Sequence, residues 1–158
     1  MKPAFACLVF SIGILGCAGV PRAAVASQAG DAFDGTWSVA WCDRSRPQLD
    51  CGGFSVTLVQ DGDRICGEFG GALVNLRQLD DGTVVGHVDG DTARLDVTSG
   101  RNDEVVRVHA RRIDGQLHWR QAEELRRGNG DVSVMAIDEV LAPAAGPSVP
   151  VVCDMPVD

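Results

Sequence analysis

The sequence has no tyrosine, and Trp and Phe together make it only 5% aromatic. Lysine occurs once, at Lys2, so every other member of the 14 Lys and Arg is an arginine. Against 22 Asp and Glu the net charge is −8, which excludes a general binder of nucleic acid or of anionic membranes. No Cys-x-x-Cys pair occurs, so the clustered, closely spaced ligands of a structural zinc site are missing. No Gly-x-Ser-x-Gly occurs either, and His87, His109 and His118 lack metal-ligand spacing on a helix. Neither a nucleophile elbow nor a metal catalyst is present in the pattern, so no enzyme and no cofactor is expected. Helical periodicity is scarce, with Gln121 to Arg127 the one segment that reads as a short helical turn.

One apolar run is present, and it is short. Met1 and Lys2 precede an uncharged stretch from Ala4 to Leu15, shorter than the roughly 20 residues of a membrane-spanning helix and typical of an export signal. Two ways of ending it compete. Ile14-Leu15-Gly16-Cys17 resembles a bacterial lipoprotein box, which would acylate Cys17 and end the signal at residue 16. Ala24-Val25-Ala26 before Ser27 is a small-x-small site for ordinary signal peptidase. Both place the domain in the periplasm or outside the cell, with an outer-membrane anchor only in the first case. Residues 27–34 then read as a tether, 35–141 as the folded domain and 142–158 as a Pro/Ala-rich tail.

In an oxidising compartment the cysteines left by either cleavage, Cys42, Cys51, Cys66 and Cys153, form two disulfides. Of three connectivities, the expected one joins Cys42 to Cys51 across a short loop and Cys66 to Cys153, pinning the tail. The longer loop should contribute more, on the order of 4 to 5 kcal/mol by loop entropy.

From Thr36 onward the chain alternates short runs rich in Val, Leu, Ile and Thr with Asp-Gly or Asn-Gly separators, whose tolerance of positive φ suits tight hairpins. Strands are expected at Thr36–Cys42, Phe54–Gln60, Arg64–Phe69, Ala72–Leu79, Thr83–Val88, Thr92–Thr98, Val105–Ile113, Gln116–Glu123 and Val132–Leu141. This makes an all-β antiparallel meander of about eight or nine strands, closing into a small barrel because closure removes exposed edges. Trp37, Val39 and Trp41 fall on one face, as do Phe54, Val56 and Leu58, and these are core positions.

Gly35-Thr36-Trp37 opening the first strand, with Gly67-Glu68-Phe69 on the third, resembles the start of calycin barrels, the lipocalin and avidin-like group. The resemblance runs from Gly35 to Phe69. It implies a barrel whose Trp packs at the closed end and whose interior either holds a ligand or is filled by side chains. The chain departs from the avidin-like pattern at Ser38-Val39-Ala40-Trp41 and lacks Tyr, so biotin binding is not implied.

Two features carry a candidate site. If Asp114-Gly115 is a two-residue hairpin, Arg111 faces His118 and His109 faces Arg120. Arg107, His109, Arg111, His118 and Arg120 then share one face, a cationic ladder on an acidic protein, suited to carboxylate or phosphate groups. The plainer reading of the same row is a solvated outer face, its like charges relieved by Glu68, Asp96 or Glu104. The second feature is the loop Asp43–Asp50 with Arg44 and Arg46, preorganised by its expected disulfide, whose plainer reading is a connection at the barrel rim. The expected function is that of an exported, non-enzymatic binding barrel. Its partner is either a small apolar ligand or an envelope protein with an acidic surface. An inhibitor or immunity protein acting on a secreted hydrolase, and a structural envelope lipoprotein, are the alternatives.

Overall fold

The computed structural model describes residues 32–74 and 77–144. Both signal-cleavage sites, Cys17 and Cys153 lie outside them. Among the described residues eight strands and no helix occur: β1 Gly35–Trp41, β2 Gly52–Asp61, β3 Arg64–Leu73, β4 Gln78–Asp89, β5 Thr92–Ser99, β6 Val105–Ile113, β7 Gln116–Arg126 and β8 Asp138–Pro143. Each pairs antiparallel with the next, and β8 returns to β1 through Trp37↔Pro143 and Ser38↔Ala142, closing an eight-stranded barrel.

One face of each strand fills the interior, as period-two alternation requires. Phe54, Val56 and Leu58 of β2, Leu95 and Val97 of β5, Val106 and Val108 of β6 and Leu117 and Trp119 of β7 are almost wholly buried. The Phe54 ring lies 5.6 Å from Phe69 and 5.3 Å from Trp119, so aromatics from three strands meet at the barrel's centre. An eight-stranded barrel is just wide enough for side chains to fill it, and this one is filled in that way.

The two ends differ. At one, two-residue turns at Gly62-Asp63, Gly90-Asp91 and Asp114-Gly115 join the strands, with Gly62, Gly90, Asp114 and Gly115 at positive φ as such turns demand. Phe33, expected in the tether, plugs this end fully buried, and its carbonyl accepts the Trp37 indole N–H at 3.0 Å. The Arg112 guanidinium covers the Trp37 ring at 4.1 Å, and burial pushes its pKa down. At the other end, here called the mouth, residues 127–137 form a strap between β7 and β8. Asn102 donates to the Asp131 carbonyl, Val134 N–H to Asp80, and Trp119 to the Ala136 carbonyl, so the strap crosses the mouth and buries Val134 and Ala136.

Three expectations for strands are corrected. Asp80-Asp81-Gly82 is not a turn: Ala72–Leu79 and Thr83–Val88 are replaced by β3 reaching Leu73 and one long β4; before β4, Arg77 takes positive φ and its N–H donates to the Val74 carbonyl. Asp80 points inward as an acceptor, and a Cβ at Gly82 would strike the Thr98 carbonyl and the Phe69 ring, so the glycine serves packing rather than turning. Gln121–Arg127 is not helical: Gln121 to Arg126 are the end of β7, irregularly paired to β6, and Arg127 follows it. Val132–Leu141 is a strand only from Asp138, because before it the backbone is engaged in crossing the mouth.

Candidate functional site

The hairpin turn at Asp114-Gly115 fixes the register of β6 and β7, and through it the cationic face. Ile113 pairs Gln116, Arg111 pairs His118 and His109 pairs Arg120, with Ala110↔Trp119 and Arg112↔Leu117 on the inner side. All five expected residues of this face, Arg107, His109, Arg111, His118 and Arg120, therefore project outward together.

Two of its arginines are neutralised. Arg107 clamps Asp96 on β5 with Nε at 2.8 Å and a second nitrogen at 2.9 Å, and reaches Glu123 at 3.7 Å. The Asp96 hydrogen bond raises the Arg107 pKa. Arg111 holds Asp91 at 2.9 Å, and that hydrogen bond keeps the Asp91 carboxyl below its ordinary range. Of the acids expected to relieve the ladder, Asp96 does so. Glu68 is exposed on β3, across the wall, and Glu104 instead accepts from Ser133 of the strap.

The arginine that sequence reading missed is Arg94. It pairs with His109 on one side and with His87 on the other, and His87 pairs Arg64. A continuous cross-strand row thus runs Arg64, His87, Arg94, His109, Arg120 over β3 to β7, with neighbours about 4.8 Å apart by strand spacing. Asp138 of β8 bounds it beyond Arg120. Neither Arg94 nor Arg120 has a carboxylate partner among the described residues. The separate runs in which His87 and Arg94 lie give no signal for this row, since only the β4–β5 register brings them beside His109.

Arg44 and Arg46 lie elsewhere, at the mouth, in a loop closed by the Cys42–Cys51 disulfide. Asp43 accepts the Ser45 hydroxyl and N–H and the Arg46 Nε, and these bonds, Ser45's first, hold its carboxyl below the ordinary range. Arg46 is therefore occupied in fixing the loop, and Arg44 is exposed. The fold separates this loop from the β6–β7 ladder, so the two candidate features do not form one site. No protein-family model, curated protein or solved structure matches the chain.

Proposed function

We propose that this chain is an exported, non-enzymatic binding barrel that docks an anionic protein partner of the cell envelope on the outer wall of β5 to β7. One observation carries the reading: Arg94, His109 and Arg120 stand in one row, exposed and without a carboxylate partner among the described residues, on a chain of net charge −8. On so acidic a surface the local carboxylates would ordinarily neutralise exposed arginines, as Asp96 and Asp91 do for Arg107 and Arg111. The packed interior supports placing recognition outside, since the centre of the barrel is occupied by its own aromatics. The tail plays no part in this reading; the short apolar leader supports the export.

The test is binding of an oligo-glutamate peptide, measured by calorimetry at low salt. The double variant Arg94→Ala, Arg120→Ala should bind about tenfold more weakly, as loss of two exposed charge contacts predicts, with its melting temperature unchanged. Raising the salt should weaken the wild-type protein and bring the two together. Equal affinity of both proteins at low salt would sink the assignment.

A further inference from the structure

The barrel is closed unevenly. Among the described residues the pairing between β1 and β8 is Trp37↔Pro143 and Ser38↔Ala142, continued by the Ala144 N–H donating to the Thr36 carbonyl at 2.8 Å, all at the half of the seam nearer the closed end. Towards the mouth the two strands are joined by side chains instead: the Trp41 indole N–H donates to Glu139 Oε1 at 2.9 Å. Beside this bridge a cavity of about 430 Å³ opens beneath the strap. It is lined by Trp41, Leu73, Val134, Met135 and Ile137, together with Ser133 and the two acids Asp138 and Glu139. The volume falls in the range of small-molecule sites, about 300 to 1,000 Å³.

Exposed apolar side chains concentrate around it. Of the eight exposed large hydrophobics among the described residues, Leu49, Val74, Leu79, Leu125, Val132 and Ile137 belong to loops or strand ends at the mouth, while Val85 and Val140 stand on the wall; Ile137 is 67% exposed. The closed end instead carries Asp-Gly turns. Inside the pocket the charge is of one sign. Glu139 is half-buried, uses one oxygen on Trp41, and has no partner for the other among the described residues. No Arg, Lys or His lines the cavity.

An apolar pocket with an aromatic wall, acids but no cation in its lining and an open oxygen on Glu139 is complementary to a small apolar molecule that ends in a protonated amine. We infer that the mouth pocket binds such a molecule, its ammonium between the open oxygen of Glu139 and the Trp41 ring and its apolar body against Met135, Ile137 and Leu73. The indole and carboxylate are already oriented by their mutual hydrogen bond, so little ordering is needed on binding. The site differs from the outer cationic wall in polarity and in the sign of the charge it selects, and Asp138, the register partner of Arg120, is the residue the two have in common.

The full chain is titrated with hexylamine, hexanol and hexanoate while the Trp41 indole N–H signal is followed by NMR. Hexylamine should shift that signal and bind about tenfold more tightly than hexanol, with hexanoate weakest, the size of a partly exposed ion pair plus a cation–π contact. Glu139→Gln keeps an acceptor for Trp41 and should erase the preference for the amine over the alcohol while leaving hexanol binding in place. Arg94→Ala, at a residue paired to His87 and His109 and not to a residue of the pocket, should leave all three titrations unchanged, so failure here and failure of the docking face are told apart. Equal binding of the three probes, or amine selectivity that survives Glu139→Gln, overturns the proposal. A Trp41 signal that moves with protein concentration alone also overturns it, by showing that a second copy fills the pocket.

Discussion

Asp80 is the carboxylate that the barrel wall and the strap share. It is 4% exposed and accepts the Ser99 hydroxyl at 2.9 and 2.8 Å, the Val134 N–H at 2.9 Å and the Arg101 N–H at 3.3 Å. Removing it leaves buried donors without an acceptor, which costs more than the bonds themselves contribute. Asp80→Ala should lower stability by about 3 kcal/mol in denaturant unfolding. Read along the chain, Asp80-Asp81-Gly82 has turn composition, and the inward side chain that decides the matter depends on Ser99 and Val134, far away in sequence. Asp91 illustrates a surface carboxylate by contrast. Its pKa is lowered from the ordinary 3.8, chiefly by the Arg111 hydrogen bond. A depressed folded-state pKa stabilises the fold above the unfolded value and ceases to do so as pH falls through the folded one. Melting temperatures of the wild type and Asp91→Asn should therefore differ near neutral pH and converge as the pH is taken below 3.8 and through the lowered pKa.

Among the elements, the stapled loop was the most legible. Two cysteines nine apart around a Pro-containing, polar stretch after a strand predict a local disulfide, and Cys42–Cys51 is present. Replacing both with Ala should cost about 2.5 kcal/mol, the loop-entropy value for a ring of this size, with far-ultraviolet circular dichroism unchanged. A far smaller loss would mean that the Asp43 turn already orders the loop in the unfolded chain. The β6–β7 hairpin was legible for the same local reason: a two-residue Asp-Gly turn fixes pairing register without help from the rest of the chain. The strap was not. Its Val, Met and Ile alternate as a strand would, yet its N–H groups and carbonyls meet Asp80, Trp119 and the backbone of β7 across the mouth, partners that no local pattern announces.

For the molecule as a whole, closure brings together what the chain keeps apart. Cys66 sits at an outward position of β3, between Val59 and Val85 of the flanking strands, and is nevertheless only 4% exposed. Covalent attachment of the tail through Cys153, as the cysteine count predicts, is the proposed cover. Alkylation of denatured, unreduced protein should leave Cys66 and Cys153 unmodified, and peptide mapping should recover them linked. Free Cys66 in that experiment would disprove the pairing.

By itself the sequence determined the strand-rich class, the local hairpins, the Cys42–Cys51 loop and the alternation that sends Trp37, Phe54 and Trp119 inward. Each of these follows from contacts between residues close in the chain or from a period of two. The tertiary structure alone decided that β4 is one strand, that residues 127–137 cross the mouth, that Arg94 joins His109 and Arg120, and that Glu139 meets Trp41 at the seam. Those juxtapositions depend on the register of strands distant in sequence and on where the barrel closes. Register across a closed sheet is set by the packing of the whole interior.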